Sequence, residues 1–156
     1  MGAPLRANQL ARTLVTAVVR HPHSERFPLS SFTDLGVPAR LSAVLDEQGI
    51  TVPTPIQAAT LPDSLAGRDV LGRGRTGSGK TLAFGLPTIT RLGDGTKRES
   101  KRPRALVLVP TRELAMQVAN KAVKYSKHLP RMRTVCIYGG APYPIQYREL
   151  SRPYEI

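Results

Sequence analysis

The stretch DVLGRGRTGSGKTLAF, residues 69–84, constrains this chain more than any other. Its inner segment, residues 74–81, satisfies G-x-x-x-x-G-K-[ST], the phosphate-binding loop pattern. A short apolar run at residues 69–71 enters the loop and a helix-like run at residues 82–92 leaves it. That strand–loop–helix order is the context the pattern requires. Gly74, Gly77 and Gly79 permit backbone conformations that a Cβ forbids and let the chain approach an anion closely. The loop N–H groups and the positive end of the next helix then point at the phosphates. Lys80 is the residue to reach the β- and γ-phosphates, and the Thr81 hydroxyl the one to sit on Mg²⁺. Both are candidate catalytic residues. Stripped of its flanks, the segment would be a Gly/Ser-rich turn ending in Lys-Thr.

At 156 residues the chain is one domain's worth. Its charge is lopsided, with 23 Lys and Arg against 11 Asp and Glu and a net charge of +12. Such an excess suits a polyanion, either nucleic acid or an anionic membrane surface, although solubilising charge alone would look the same. Aromatics make up 5% with no Trp, too few for stacking on many bases. The single cysteine, Cys136, can form neither an internal disulfide nor a metal cluster. It lies in an apolar run and fits a buried position in a reducing, cytoplasmic compartment.

Residues 1–31 form a basic N-terminal extension, with Arg6, Arg12, Arg20 and Arg26 and no acid before Glu25. It is expected to be poorly ordered. Leu10, Leu14, Ala17 and Val18 fall at helical spacing, so a short amphipathic helix fits, and an organelle transit peptide is a second reading. The apolar run at residues 14–19 is too short to span a bilayer. His21 and His23 have no other ligand-type residue nearby, so no metal site is assigned.

Between the extension and the loop, Pro38 opens a helix with Leu41, Val44 and Leu45 on one face and Gly49 beyond its end. A second helix starts at Thr54 as N-cap and Pro55 at the first position. Ile56 and Ala59 are expected to face inward and Pro62 to end or kink it. Gln57 lies in its first turn, and a side-chain amide pairs one donor with one acceptor, as an adenine edge demands. Taken alone, Gln57 is an ordinary solvated helix residue.

Phe32, Gly49-Ile50 and then Pro53-Thr54-Pro55-Ile56-Gln57 resemble the Q motif of DEAD-box RNA helicases, which lies just upstream of a P-loop as here. With Arg75-Thr76-Gly77-Ser78-Gly79-Lys80-Thr81, the pattern separates this chain from P-loop kinases and transporters. The resemblance implies an ATP site built from Phe32, Ile50, Gln57, Arg75, Thr76, Gly77, Ser78, Gly79, Lys80 and Thr81, with Gln57 reading adenine. Ile50 departs from the family, where the residue after that glycine is usually aromatic. The run at residues 67–75 is similar to bacterial members.

Downstream, Leu82, Leu86 and Ile89 keep helical spacing, interrupted by Pro87 and stopped at Gly93. GDGTKRESKRPR, residues 93–104, carries Lys97, Arg98, Lys101, Arg102 and Arg104 and reads as a solvated loop, with a phosphate-touching patch as the second reading. Residues 106–109 read as a buried parallel strand. Pro110-Thr111-Arg112-Glu113-Leu114-Ala115 then opens a helix with Leu114, Val118, Ala122 and Tyr125 inward. It matches motif Ia of the same helicases, and residues 134–138 form a third strand ending in the family's paired glycines, Gly139 and Gly140. The resemblance implies that Pro110, Thr111, Arg112, Gly139 and Gly140 hold an RNA backbone.

A short helix over residues 145–151 and a strand starting at residue 154 close the chain, and no Asp-Glu-Ala-Asp occurs in it. Residues 32–156 thus read as an incomplete first RecA-like helicase domain, α/β with a parallel sheet and crossover helices, ending before the strand of that motif. The expected function is the ATP- and RNA-binding portion of an ATP-dependent RNA helicase, without turnover on its own. Protein partners are not indicated, and no membrane is expected. The rivals are a basic RNA-binding protein with a vestigial P-loop, or another P-loop NTPase such as a small kinase or GTPase.

Overall fold

The computed structural model describes the backbone of residues 14–18 and the whole of residues 30–93, 103–129 and 132–156. Its elements run β1 (Leu14–Val18), α1 (Ala39–Asp46), α2 (Pro55–Leu65), β2 (Asp69–Arg73), α3 (Lys80–Leu92), α4 (Arg112–Tyr125) and α5 (Tyr143–Leu150), an α/β arrangement. The strand expected at residues 69–71 continues to Arg73, and α3 begins at Lys80 itself.

β1 pairs with β2 in parallel, in a register from Leu14↔Asp69 to Val18↔Arg73. This corrects the helix that the spacing of Leu14, Ala17 and Val18 suggested. LVTAV is rich in β-branched residues, which lose less freedom in a strand than in a helix, and β2 offers an edge to pair with. The remainder of the extension, with His21 and His23, lies outside the described residues. So do residues 94–102 of the basic loop, with Lys97, Arg98, Lys101 and Arg102.

α1 buries Leu41, Val44 and Leu45 as its periodicity implies, and Gly49 beyond its end has φ +71°. Pro62 does not end its helix, and α3 passes Pro87 to stop at Gly93 as expected. α2 runs through Pro62 to Leu65, and α3 runs through Pro87 to Leu92. An internal proline removes one backbone donor and crowds the carbonyl four residues back. Tertiary packing of α2 on α3 holds both helices regardless. Nearby hydroxyls cap main-chain carbonyls along the same stretches: Thr60 Oγ1 donates to the Ile56 carbonyl at 2.7 Å and Thr88 Oγ1 to that of Phe84 at 2.8 Å. The inward face of α2 comprises Ile56, Gln57, Thr60 and Leu61; Ala59, expected there, is exposed.

The core joins Phe32, Val37, Leu41, Val44, Leu45, Leu61, Leu82, Leu86 and Ile89 to Tyr125 and Leu129. It lies between α1, α2 and α3 and reaches the C-terminal end of α4, so the phosphate loop rests on packed helices.

Residues 105–109 and 134–138 form no regular strand, so the third strand expected at residues 134–138 is not met. Residues 155–156 lie between the two runs: the N–H groups of Arg104 and Ala105 both donate to the Glu155 carbonyl at 3.0 Å, and Val135 N–H donates to that of Ile156 at 2.8 Å. The buried strand expected at residues 106–109 is therefore not met, since Leu106 is 77% and Leu108 83% exposed. A parallel strand is buried only where neighbours and helices cover both its faces, and here an apolar edge is open.

Candidate functional site

The phosphate loop connects β2 to α3. Gly79 is the N-cap of α3 at φ +92°, a left-handed conformation that a Cβ resists. Space excludes a side chain there too, because a Cβ would lie 2.5 Å from Gln57 Nε2 and 2.6 Å from Thr54 Oγ1. The phosphate loop and the start of α2 are thus in direct contact.

Gln57 makes that contact. Its Oε1 accepts from Thr54 N–H at 2.8 Å, and its Nε2 donates to the Gly79 carbonyl at 3.0 Å. With 1% of its surface exposed it is not the solvated residue that its helix position alone implies. An amide oxygen has two lone pairs and an amide nitrogen two protons, so one of each is left after these bonds.

Lys80 extends back over the loop, donating to the carbonyls of Gly74 at 2.8 Å and Arg75 at 2.6 Å. An ammonium has three donors, so the same group can hold the loop and meet an anion. Ser78 Oγ is buried without a partner, an uncommitted hydroxyl inside the loop. Arg75 and Thr76 are exposed, and Thr81 is half-buried on the first turn of α3. Phe32, 1% exposed like Gln57, lies in the core, and Ile50 packs partly buried against that core.

A second cluster forms at the N-terminus of α4. Thr111 caps the helix by accepting from Leu114 N–H at 3.2 Å, and Arg112 stands exposed beside it. Arg112 Nε donates to Glu113 Oε1 at 3.2 Å. The Glu113 carboxyl is held below its ordinary range, first by a backbone N–H of the helix start and then by Arg112. Across from it, Gly140 turns the chain at φ +86°, and a Cβ there would lie 3.7 Å from Arg112 Nη1. Arg112 and the Gly139–Gly140 turn, 27 residues on, are thus brought together.

A cavity of about 490 Å³ is lined by Thr81 and Phe84 of α3 and by Pro110, Thr111, Arg112 and Gly139, so Thr81 is the one phosphate-loop residue that reaches it. Between them its wall is apolar, with Leu106, Leu108 and Ile137. Cys136 also lines it, and burial pushes its thiol up from the ordinary range.

Two positioning residues carried no sequence signal of their own. Thr54 was legible as a helix cap but not as a neighbour of Gly79. Gln146, on α5, is buried and pins the paired glycines: its Oε1 accepts from Tyr138 N–H at 3.1 Å, and its Nε2 donates to the Tyr138 and Ala141 carbonyls, each at 3.2 Å. Only its place one turn before the half-buried Leu150 hints at an inward face. Among the described residues no three His, Cys, Asp or Glu side chains gather to hold a metal, and no helix is long and apolar enough to cross a membrane.

Comparison with known proteins follows the same lines. The family model for DEAD/DEAH box helicases matches residues 54–156. The chain is 49% identical over 126 residues to DEAD-box ATP-dependent RNA helicase 3A, chloroplastic, of Zea mays, covering 78% of this chain and 16% of that protein. It is 46% identical over 127 residues to ATP-dependent RNA helicase DeaD of Escherichia coli, covering 81% and 20% respectively. Among solved structures, the RNA helicase Prp28 of Chaetomium thermophilum bound to ADP superposes with a TM-score of 0.71 at 38% identity, over 79% of this chain and 30% of that one. The chain therefore spans a fifth or less of the length of these curated relatives.

Proposed function

Because this chain belongs to the DEAD/DEAH box helicase family, we propose that it is the ATP- and RNA-binding portion of an ATP-dependent RNA helicase whose whole couples ATP hydrolysis to duplex unwinding. The observation that carries the reading is the Gln57 bridge. One side chain joins the helix proposed to face adenine to the carbonyl of Gly79 in the phosphate loop.

Gly77, Ser78, Gly79 and the first turn of α3 would hold the phosphates, and Lys80, now on the Gly74 and Arg75 carbonyls, would supply them a positive charge. Ser78 Oγ, lacking a partner inside the loop, suits a polar ligand there. Gln57 would offer its remaining donor and acceptor to adenine N7 and N6–H, where guanine presents two acceptors, N7 and O6. Thr81 is the residue to hold Mg²⁺, which when bound balances charge on the phosphate oxygens. Pro110, Thr111, Arg112, Gly139 and Gly140 address an RNA backbone, not base edges, so binding is largely sequence-independent. Phe32 and Ile50 support this site through the core that seats α1 and α2. The setting is cytoplasmic and reducing, in keeping with a single unpaired cysteine.

Residues 1–156 bind without turnover. Phosphoryl transfer requires an acid to help hold Mg²⁺ and a group to orient the attacking water. Asp69 begins β2 at the end away from the loop, about 13 Å along the strand from its exit.

Nucleotide titration with a phosphate-release assay tests the reading. ATP binding is expected to exceed GTP binding by tenfold or more, at about 1.4 kcal/mol per tenfold, and Lys80→Ala to remove most affinity, with no RNA-stimulated phosphate release. Equal affinity for GTP and ATP overturns the adenine assignment. Turnover abolished by Lys80→Ala overturns the binding-only reading.

A further inference from the structure

Helix α5 carries two tyrosines that the site described above does not use. Tyr143 is 74% and Tyr147 68% exposed, and their rings lie 6.3 Å apart, tilted by 32°. Four residues apart on one helix, they share a face and form one aromatic surface in water. Single exposed apolar residues need no explanation, but two adjacent uncovered rings present one flat apolar face on which a partner can stack.

Their location narrows what that partner is. α5 starts three residues after Gly140, and Gln146 ties it to the glycine turn through three hydrogen bonds, so the helix and the turn form one unit. Arg112 stands against that turn. Arg148, next to Tyr147, and Arg152 beyond the helix end are exposed as well. The nearest acid on α5, Glu149, is occupied by its ion pair with Arg133. Flat apolar faces among cations, in a chain of net charge +12, complement an anionic strand with unstacked aromatic rings. An acidic protein segment would satisfy the arginines but would need aromatic or proline side chains of its own to cover the ring faces.

We infer that Tyr143 and Tyr147 form a stacking surface for one or two bases of single-stranded RNA, continuous with the backbone contacts at Arg112, Gly139 and Gly140. This rests on the proposed RNA-binding reading and adds base contact to it. Every base has a π-face, so the surface adds affinity without sequence preference.

Two short RNAs of equal length decide the matter, a uridine oligonucleotide and an abasic backbone, each titrated by fluorescence anisotropy. Wild type is expected to bind the uridine strand about fivefold or more tighter than the abasic one, the lower range for stacking on a single aromatic side chain. The double variant Tyr143→Ala/Tyr147→Ala is expected to bind both alike, and Tyr143→Phe/Tyr147→Phe to restore the difference. Tyr143→Leu/Tyr147→Leu, apolar but not aromatic, is expected not to. Equal wild-type binding to the two strands, or an alanine variant that keeps the difference, overturns the inference, and points to a protein partner for the tyrosines instead. Arg112→Ala tests the underlying reading separately, since it should weaken both strands in parallel. If Arg112→Ala has no effect while the uridine preference persists, the backbone reading fails and the stacking surface stands. If neither strand binds, both fail.

Discussion

Replacing Gln57 by alanine should destabilise the fold as well as loosen base choice, and the size of the effect follows from its two bonds. Gln57 is buried, with Oε1 on Thr54 N–H and Nε2 on the Gly79 carbonyl. The two ends are not equivalent. The Gly79 carbonyl also accepts from Leu82 N–H at 3.1 Å and Ala83 N–H at 3.2 Å, so it stays satisfied without Gln57. Thr54 N–H loses its side-chain partner at the helix start. Two hydrogen bonds of about 1 kcal/mol each, plus part of the penalty for one donor left unmet, give a loss of about 2–3 kcal/mol. For a chain of this size that lowers the melting temperature by roughly 6–10 °C. Circular dichroism melts of wild type, Gln57→Ala and Gln57→Leu separate the causes, because leucine refills the volume without restoring either bond. Both variants are expected to melt lower, the alanine one further. Melting of both within about 1 °C of wild type would refute the claim that this side chain pins α2 to the phosphate loop.

Gly79→Ala combines a left-handed backbone with a Cβ at 2.5 Å from Gln57 Nε2, so it should weaken nucleotide binding at least tenfold in an equilibrium titration, through displacement of Gln57 or of the loop. RNA affinity should fall with salt along a log–log slope of about −0.7 for each phosphate neutralised, and Arg112→Ala should reduce that slope by roughly one contact. A flat salt response would contradict backbone binding.

Much of this was legible in the chain because local rules and tertiary structure agree there. The glycine-rich loop between a strand and a helix, the Thr54-Pro55 helix start and the Thr111 cap follow from short-range chemistry, and each stands where that chemistry puts it. The misreadings share one cause, which is that long-range packing outweighed a local signal. Pro62 lies inside α2, not at its end, because α2 and α3 press on each other and on the core. Leu14, Ala17 and Val18 are spaced for a helix but pair with β2, an edge that the sequence of residues 14–18 cannot reveal. Leu106 and Leu108 have the composition of a buried strand, yet their burial depends on what lies across from them. Gln57 and Gln146 were beyond sequence reasoning as structural pins, since a glutamine on a helix looks the same whether it bonds to water or to a distant carbonyl.

Amide hydrogen exchange of residues 1–156 with ATP, with single-stranded RNA and with neither tests the central claim in one measurement. ATP should slow exchange in residues 74–82 and at the start of α2, and RNA should slow it at residues 111–114 and 139–141, each leaving the other region largely unchanged. ATP protection absent from residues 74–82, or RNA protection spread evenly over the basic surface, would contradict an account in which one phosphate loop and one arginine–glycine cluster do separate work.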